Sequence, residues 1–282
     1  MAPSRIKNRV QLVRIEFATE ILRPSNNDVR DIPRCATEIG VEHLRRCICS
    51  DPDPFYFMLE PTFTHDWDIS PKQAVALQRS LVDRVVVEPL QTDIRLIAGI
   101  DVSVKDNRVR TAIVVLDMGS LSLVDSATWQ GPVVFPYVPG LLSFREIPAI
   151  LPALKLISVV PDAIMLDGHG LAHPRRFGLA CHLGVLLDIP SLGVAKSRLT
   201  GTHKEPGMTK GDSSPLKDKD ELIGTVLRTR TNVNPVFVSV GHKMELADAL
   251  KLTLASTVRY KLPEPTRLAH HLSKRGKVAI VS

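Results

Sequence analysis

Residues Asp162 to Gly170 read DAIMLDGHG: an apolar tetrad, Ala163-Ile164-Met165-Leu166, ends in a carboxylate, Asp167, followed by a histidine between two glycines. A short apolar run closed by turn formers predicts a buried strand that delivers a charge to its carboxyl end, so Asp167 is expected to be displayed. Toward the N-terminus, Leu96-Ile97-Ala98-Gly99-Ile100 leads directly into Asp101 and then Val102-Ser103-Val104. That places a second carboxylate inside an apolar strand, a costly position for a charge without a partner. Two aspartates so placed suggest one metal site.

The flanking sequence supplies the rest of the architecture. Ser70 is a natural N-cap with Pro71 at the first helical position, and Ala74, Leu77, Leu81 and Val85 continue at helical spacing to about Val87. Three strands are predicted next, Leu96 to Val104, Thr111 to Leu116 and Leu121 to Gln130, joined by short turns as an antiparallel meander. After a proline-rich loop, Gly131 to Gly140, a helix carries Phe144, Ile147, Ile150, Leu151, Leu154 and Ile157; Pro148 fits its first turn, and Pro152 should kink or shorten it. The strand ending at Leu166, a helix near Arg175 to Leu187 and a strand from Ser191 to Val194 add parallel neighbours. A polar insertion, Gly201 to Asp220, precedes a hairpin of Glu221 to Thr229 with Pro235 to Val240, and Met244 to Leu254 forms another helix. The meander followed by α/β units, with an Asp in the first strand and another at the end of the fourth, is the layout of a ribonuclease H-like α/β fold. A mixed β-sheet flanked by helices is expected over residues 65–275.

Length and composition agree with one large domain, or one domain plus an appendage. The 282 residues are 44% hydrophobic, which excludes wholesale disorder, and the net charge of +6 favours a polyanionic partner without proving one. Cys35, Cys47, Cys49 and Cys181 do not form a disulfide framework for a chain this long, so a reducing compartment is expected, with Cys181 a small buried helix residue. The basic N-terminus lacks an apolar leader core, and no stretch is long enough for a membrane span, which predicts a cytoplasmic protein with no membrane partner. Residues 1–60 mix arginines with Asn26-Asn27-Asp28 and Asp51-Pro52-Asp53-Pro54 and show no core-facing period. They read as a poorly ordered N-terminal extension, or as a start misplaced upstream of Met58.

Phosphodiester hydrolysis requires a water activated near neutral pH and charge stabilisation on the entering and leaving oxygens, and carboxylate-held Mg²⁺ supplies both. Asp101 and Asp167 are the candidate ligands. Glu146, near the start of the helix after the meander, is a third carboxylate able to reach the same sheet edge. Each has an ordinary alternative: a turn-bonded strand Asp, a cap before Gly168, and a first-turn carboxylate favoured by the helix dipole. The three in one topology favour chemistry.

Five ordered blocks carry a closer likeness: GIDVS at 99–103, FPYVPGLLSFRE at 135–146, DGHGLAHPRR at 167–176, GVAKSRL at 193–199 and PEPTRLAH at 263–270. Over about His65 to His270 the chain resembles the endonuclease V family, nucleases that nick nucleic acid near deaminated bases. The resemblance implies Asp101, Glu146 and Asp167 as metal-site carboxylates, with His270 completing the site in members that lack Asp at its position. It implies Mg²⁺ as cofactor with Mn²⁺ as a substitute, and Lys196 at the scissile phosphate or attacking water. Tyr137 matches the wedge that enters the helix while the altered base rotates outward. Gly140, Leu141, Leu142, Gly168 and Gly193 match the base pocket, and His173, Arg175 and Arg176, expected to open a helix, match phosphate-side contacts. The implied activity is a DNA repair endodeoxyribonuclease that cuts the second phosphodiester bond 3′ of deoxyinosine and related lesions, leaving 5′-phosphate ends. An inosine-specific endoribonuclease and a lesion binder that does not cut are the alternatives, and a monomer is expected. His242, between a strand and a helix, reads as a helix cap as readily as a site residue; His169 and His203 receive no role from spacing.

Overall fold

The computed structural model describes residues 59–275, so the expectations for the N-terminal extension, and for Cys35, Cys47 and Cys49, lie outside the described residues. Eight strands form one sheet in the order β3-β2-β1-β4-β5-β8-β7-β6. The strands are β1 (Leu96–Lys105), β2 (Arg108–Asp117), β3 (Leu123–Pro132), β4 (Ala163–Leu166), β5 (Ser191–Ala195), β6 (Ser213–Asp218), β7 (Glu221–Leu227) and β8 (Val236–His242). The first three pair as the expected antiparallel meander, while β4 runs parallel to β1 and β5 parallel to β4. The outer three strands continue antiparallel from β5.

Side-chain alternation along the central strands divides the core into two layers. Ala98, Ile100, Ile164 and Leu166 face α2 (Leu142–Leu154) and α3 (Leu179–Leu187). Ile97, Ala163 and Met165 face the opposite side, which α4 (Leu246–Ala255) and α5 (Glu264–Arg275) cover. The same period puts Gly99, Asp101 and Ser103 on the α5 side. Gly99 is needed there because a Cβ at this position would run into the Pro265 backbone. Ser103 Oγ donates to the Ser273 carbonyl at 2.9 Å, closing the strand's contact with the end of α5.

The helix α1 (Pro71–Leu81) begins on Ser70 with a reciprocal capping box to Gln73. It stops six residues before the expected Val87. A 3₁₀ turn, Val82–Arg84, follows, and Val86 then exchanges its backbone groups with β8: its N–H donates to His242 Nδ1 at 3.2 Å and its carbonyl accepts from Lys243 N at 2.8 Å. Long-range hydrogen bonds outcompete helical spacing in a β-branched run. His242 is thus a buried strand residue, and the cap of α4 is Glu245, paired with Asp248.

Pro148 sits beyond the first turn of α2, and the helix passes through both prolines, its buried Phe144, Ile147, Ile150 and Leu154 face offsetting the lost backbone bonds. The expected helix from Arg175 starts at Leu179, so His173, Arg175 and Arg176 lie in a loop. Arg176 there takes a left-handed conformation, φ 55°. Strand β6 lies within the segment read as a polar insertion: its pattern alternates buried and exposed residues, but only Ser214 and Leu216 turn inward. Cys181 is buried as expected, and burial pushes its thiol up to about 12.

Gly99→Ala should lower stability by about 1–3 kcal/mol, the usual range for overpacking. Urea unfolding checks this, and the variant should also lose activity because α5 cannot seat; wild-type stability would show that the Gly99–Pro265 approach is not required.

Candidate active site

Strand register brings the two aspartates together. β1 and β4 run parallel with Ile100 opposite Leu166, so the next residue on each strand is an aspartate. Asp167 N donates to the Ile100 carbonyl at 3.5 Å where the ladder ends. Asp101 is 8% exposed. Its carboxylate accepts from Ser273 Oγ and lies 3.3 Å from His270 Nδ1, both on α5. Ligand atoms of Asp101, Asp167 and His270 all lie within 4.8 Å of one another.

Two carboxylates and one imidazole nitrogen, from three separate elements, suit a divalent cation that favours oxygen ligands. Glu146 is not one of these three, but it lies close enough for the charges of Asp101 and Asp167 to add to the effect of burial, which together hold its carboxyl well above the usual range. Burial also raises Asp167, against the pull of Lys196, whose Nζ donates to the same carboxylate. Lys196 follows β5, the strand beside β4, which explains its reach.

A cavity of about 320 Å³ opens beside Asp167. Gly140, Leu142, Gly168 and Lys196 line it, with Tyr137 at its edge. Tyr137 is 69% exposed, and the Arg145 guanidinium lies 5.8 Å from its ring centroid. Leu141 packs beneath, in the cluster of Phe135 and Phe144. Gly193 stands behind the cavity wall, where a Cβ would strike the Gly168 carbonyl, so the glycine lets β5 approach the loop after β4.

The cations of that loop are largely committed within the protein. His173 is 3% exposed; its Nε2 donates to the Gly140 carbonyl at 3.0 Å and its Nδ1 accepts from Arg175 N at 3.1 Å. That pair of bonds requires the neutral ring. Burial, aided by the positive charges of Arg175 and Arg176 and by His169, pushes its pKa down to about 4. Arg176 pairs with Asp218 and Glu221, at 2.9 and 2.7 Å. Arg175 donates through Nη2 to the Gly140 carbonyl at 2.6 Å and through Nε to Gln78 Oε1 at 2.6 Å.

The family model for Endonuclease V matches residues 79–271. The chain belongs to the endonuclease V family. Endonuclease V of Roseiflexus sp. is 44% identical over 220 residues, 78% of this chain and 99% of the relative. The crystal structure of endonuclease V from Streptomyces avermitilis superposes with a TM-score of 0.71 at 45% identity, covering 74% of this chain and 94% of that one. Endonuclease V of Ciona intestinalis, solved with a 24mer DNA containing an inosine followed by a ribo-adenosine, is 27% identical with a TM-score of 0.66, covering 73% of this chain and 96% of that one. An endonuclease V is a nuclease, and these neighbours share the ribonuclease H-like sheet described above.

Sequence reasoning missed three participants: Ser273, which bonds Asp101; the helix α5 that carries it; and Gln78, buried on α1 at the cavity. The signal for α5 was present, since Leu268, Ala269 and Leu272 recur at helical spacing after Pro265. No pattern marks Gln78, a polar residue on a helix whose apolar face is short.

The neutral His173 ring predicts a pH dependence. Its folded pKa lies below the ordinary 6.5, so its contribution is complete above pH 6.5 and is lost as pH falls toward about 4. Across that window wild-type stability should fall by up to about 1.4 kcal/mol per pH unit more than that of His173→Gln, whose amide donates without titrating. Parallel slopes in urea unfolding would contradict the assignment.

Proposed function

We propose that this chain is a DNA repair endonuclease that uses a divalent cation, Mg²⁺ in the first instance and Mn²⁺ as a substitute, to nick the strand at the second phosphodiester bond 3′ of deoxyinosine. The observation that carries the reading is the Asp101, Asp167 and His270 cluster, whose Asp167 also lines a cavity edged by an exposed tyrosine. The inosine-containing DNA bound by the Ciona intestinalis relative supports the choice of lesion.

Asp101, Asp167 and His270 would hold the cation, with Glu146 on the side of the ligand set nearest α2. The bound cation supplies water activation near neutral pH and charge stabilisation of the phosphoryl oxygens. Ser273 orients the Asp101 carboxylate by donating to one of its oxygens. Lys196 holds Asp167 and offers its ammonium to the scissile phosphate at the cavity mouth. Its 42% side-chain exposure leaves it free to reach a strand passing over the site. Arg175, whose Nε and Nη2 already bond Gln78 and Gly140, would meet the phosphate side through Nη1, whereas His173 and Arg176 serve the loop itself.

Tyr137 acts as the wedge. Unstacking a base costs a few kcal/mol, which an aromatic side chain inserted in its place offsets by stacking. The extruded base enters between Gly140, Leu142 and Gly168. The N-cap of α2, Leu141, has no side chain able to cap the helix, and Leu142 and Ser143 of the first turn line the cavity, where their uncapped N–H groups would be available. They suit the hypoxanthine oxygen, whereas the amino group of adenine would leave a donor facing a donor.

A ribonucleotide follows the inosine in the Ciona intestinalis complex, which favours testing RNA strands as a second reading. Products separate the readings directly. With Mg²⁺, an end-labelled duplex bearing one deoxyinosine should give a single nick at the second bond 3′ of the lesion, with a 5′-phosphate. Chelation should abolish it, and Asp101→Ala should slow it by at least about 100-fold. Cleavage confined to strands with ribose 3′ of the inosine would move the assignment to an endoribonuclease, and binding without cleavage in Mg²⁺ would overturn the nuclease chemistry.

A further inference from the structure

Gln78 on α1 is 1% exposed, and both polar atoms of its amide are bonded. Its Nε2 donates to the carbonyls of Gly140 at 3.1 Å and Phe177 at 3.0 Å, and its Oε1 accepts from Arg175 Nε at 2.6 Å. The two carbonyls belong to the two loops that wall the cavity: Gly140 closes the loop bearing Tyr137, and Phe177 closes the loop after β4. A buried amide is expensive unless every group is matched, and here the matching groups come from both loops at once. An apolar residue would satisfy α1 as a packing element; it could not join the loops.

The Gly140 end of this bridge is unusually constrained. Its carbonyl receives three donors, from Gln78, from His173 Nε2 at 3.0 Å and from Arg175 Nη2 at 2.6 Å, although a carbonyl oxygen has two lone pairs. Gly140 takes φ 78°, and a Cβ there would meet the Arg175 guanidinium at 2.7 Å. Rotation of this peptide would release all three donors.

We propose that Gln78 is a positioning residue for lesion recognition: it sets the Tyr137 loop against the loop after β4, and so aligns wedge and base pocket before DNA arrives. The inference rests on the cavity being the base pocket described above. Gln78 touches neither the Asp101 and Asp167 carboxylates nor Lys196 through any hydrogen bond, so the bridge acts on extrusion and capture of the base and leaves the chemical step alone. Pre-setting the loops reduces the ordering cost at binding.

The test uses the full-length protein and two variants. Gln78→Glu keeps the shape and the Arg175 contact but, ionised, has no hydrogen to donate; Gln78→Met removes all three bonds with similar volume. Each should raise KM for the deoxyinosine duplex about ten-fold, the effect of roughly one hydrogen bond, with kcat at saturation within about threefold of wild type. A 2-aminopurine placed beside the lesion should brighten when wild-type protein extrudes the base in Ca²⁺, and should brighten less with either variant at equal protein. A folded variant with wild-type KM and brightening would overturn the role of Gln78. Equal loss of kcat and kcat/KM would place it in the chemistry and overturn it too, as would failure of both variants to fold by circular dichroism. A wild-type protein that cleaves but never brightens the probe would instead overturn the base-pocket reading on which the inference stands.

Discussion

The carboxylate of Asp101 sits in an interior strand of an eight-stranded sheet, and the structure depends on giving it partners. A charge that deep is tolerable only with hydrogen-bond donors or opposite charge in contact. α5 provides them, with Ser273 on one carboxylate oxygen and His270 near the other. The helix can approach closely because Gly99, two residues earlier on the same face, has no side chain to hold Pro265 away. One strand period, Gly99-Asp101-Ser103, therefore encodes the docking of the helix, the charged group and the lock at the end of α5. The same residue that is a liability for folding becomes the anchor of the site when β4 delivers Asp167 alongside it.

Around that anchor, the site is built from loops at the carboxyl ends of parallel strands, the usual place for ligands in sheets of this kind. The loop after β4 carries Asp167 and Gly168; the segment after β5 carries Lys196; the loop before α2 carries Tyr137 and Gly140. Strand pairing sets Asp167 beside Asp101 and Lys196, whereas buried side chains join the Tyr137 loop to the loop after β4. His173 Nε2 and Arg175 Nη2 donate to Gly140, Arg175 Nε donates to Gln78, and Arg176 is neutralised by two carboxylates. Positive residues of this loop are thus engaged in holding the loop itself, which net charge cannot reveal.

The meander, the parallel additions and the two aspartates were legible because they rest on strand periodicity and on charge at strand ends, both local signals. The parallel register that makes Asp101 and Asp167 neighbours is a property of the paired strands, with Ile100 opposite Leu166. What failed were boundaries set by distant partners. The α1 helix ends early because Val86 bonds to β8, and the stretch from Arg175 stays a loop because His173 and Arg175 fold back onto Gly140, held by the left-handed turn at Arg176. The role of Gln78 could not be read, since its three partners lie 62 to 99 residues away. The proline-containing α2 helix forms as expected and ends at Leu154, two residues after Pro152 and short of Ile157, its buried apolar face carrying it past Pro148.

The central claim is that Asp101, Asp167 and His270 form one cation site. Its most direct test is anomalous diffraction from crystals of the full-length protein soaked in Mn²⁺. The account predicts one strong peak in contact with a carboxylate oxygen of Asp101 and of Asp167, on the side facing His270 and Glu146, and absent from Asp101→Asn crystals that retain the fold. A peak elsewhere, or an undiminished peak in that variant, would contradict it.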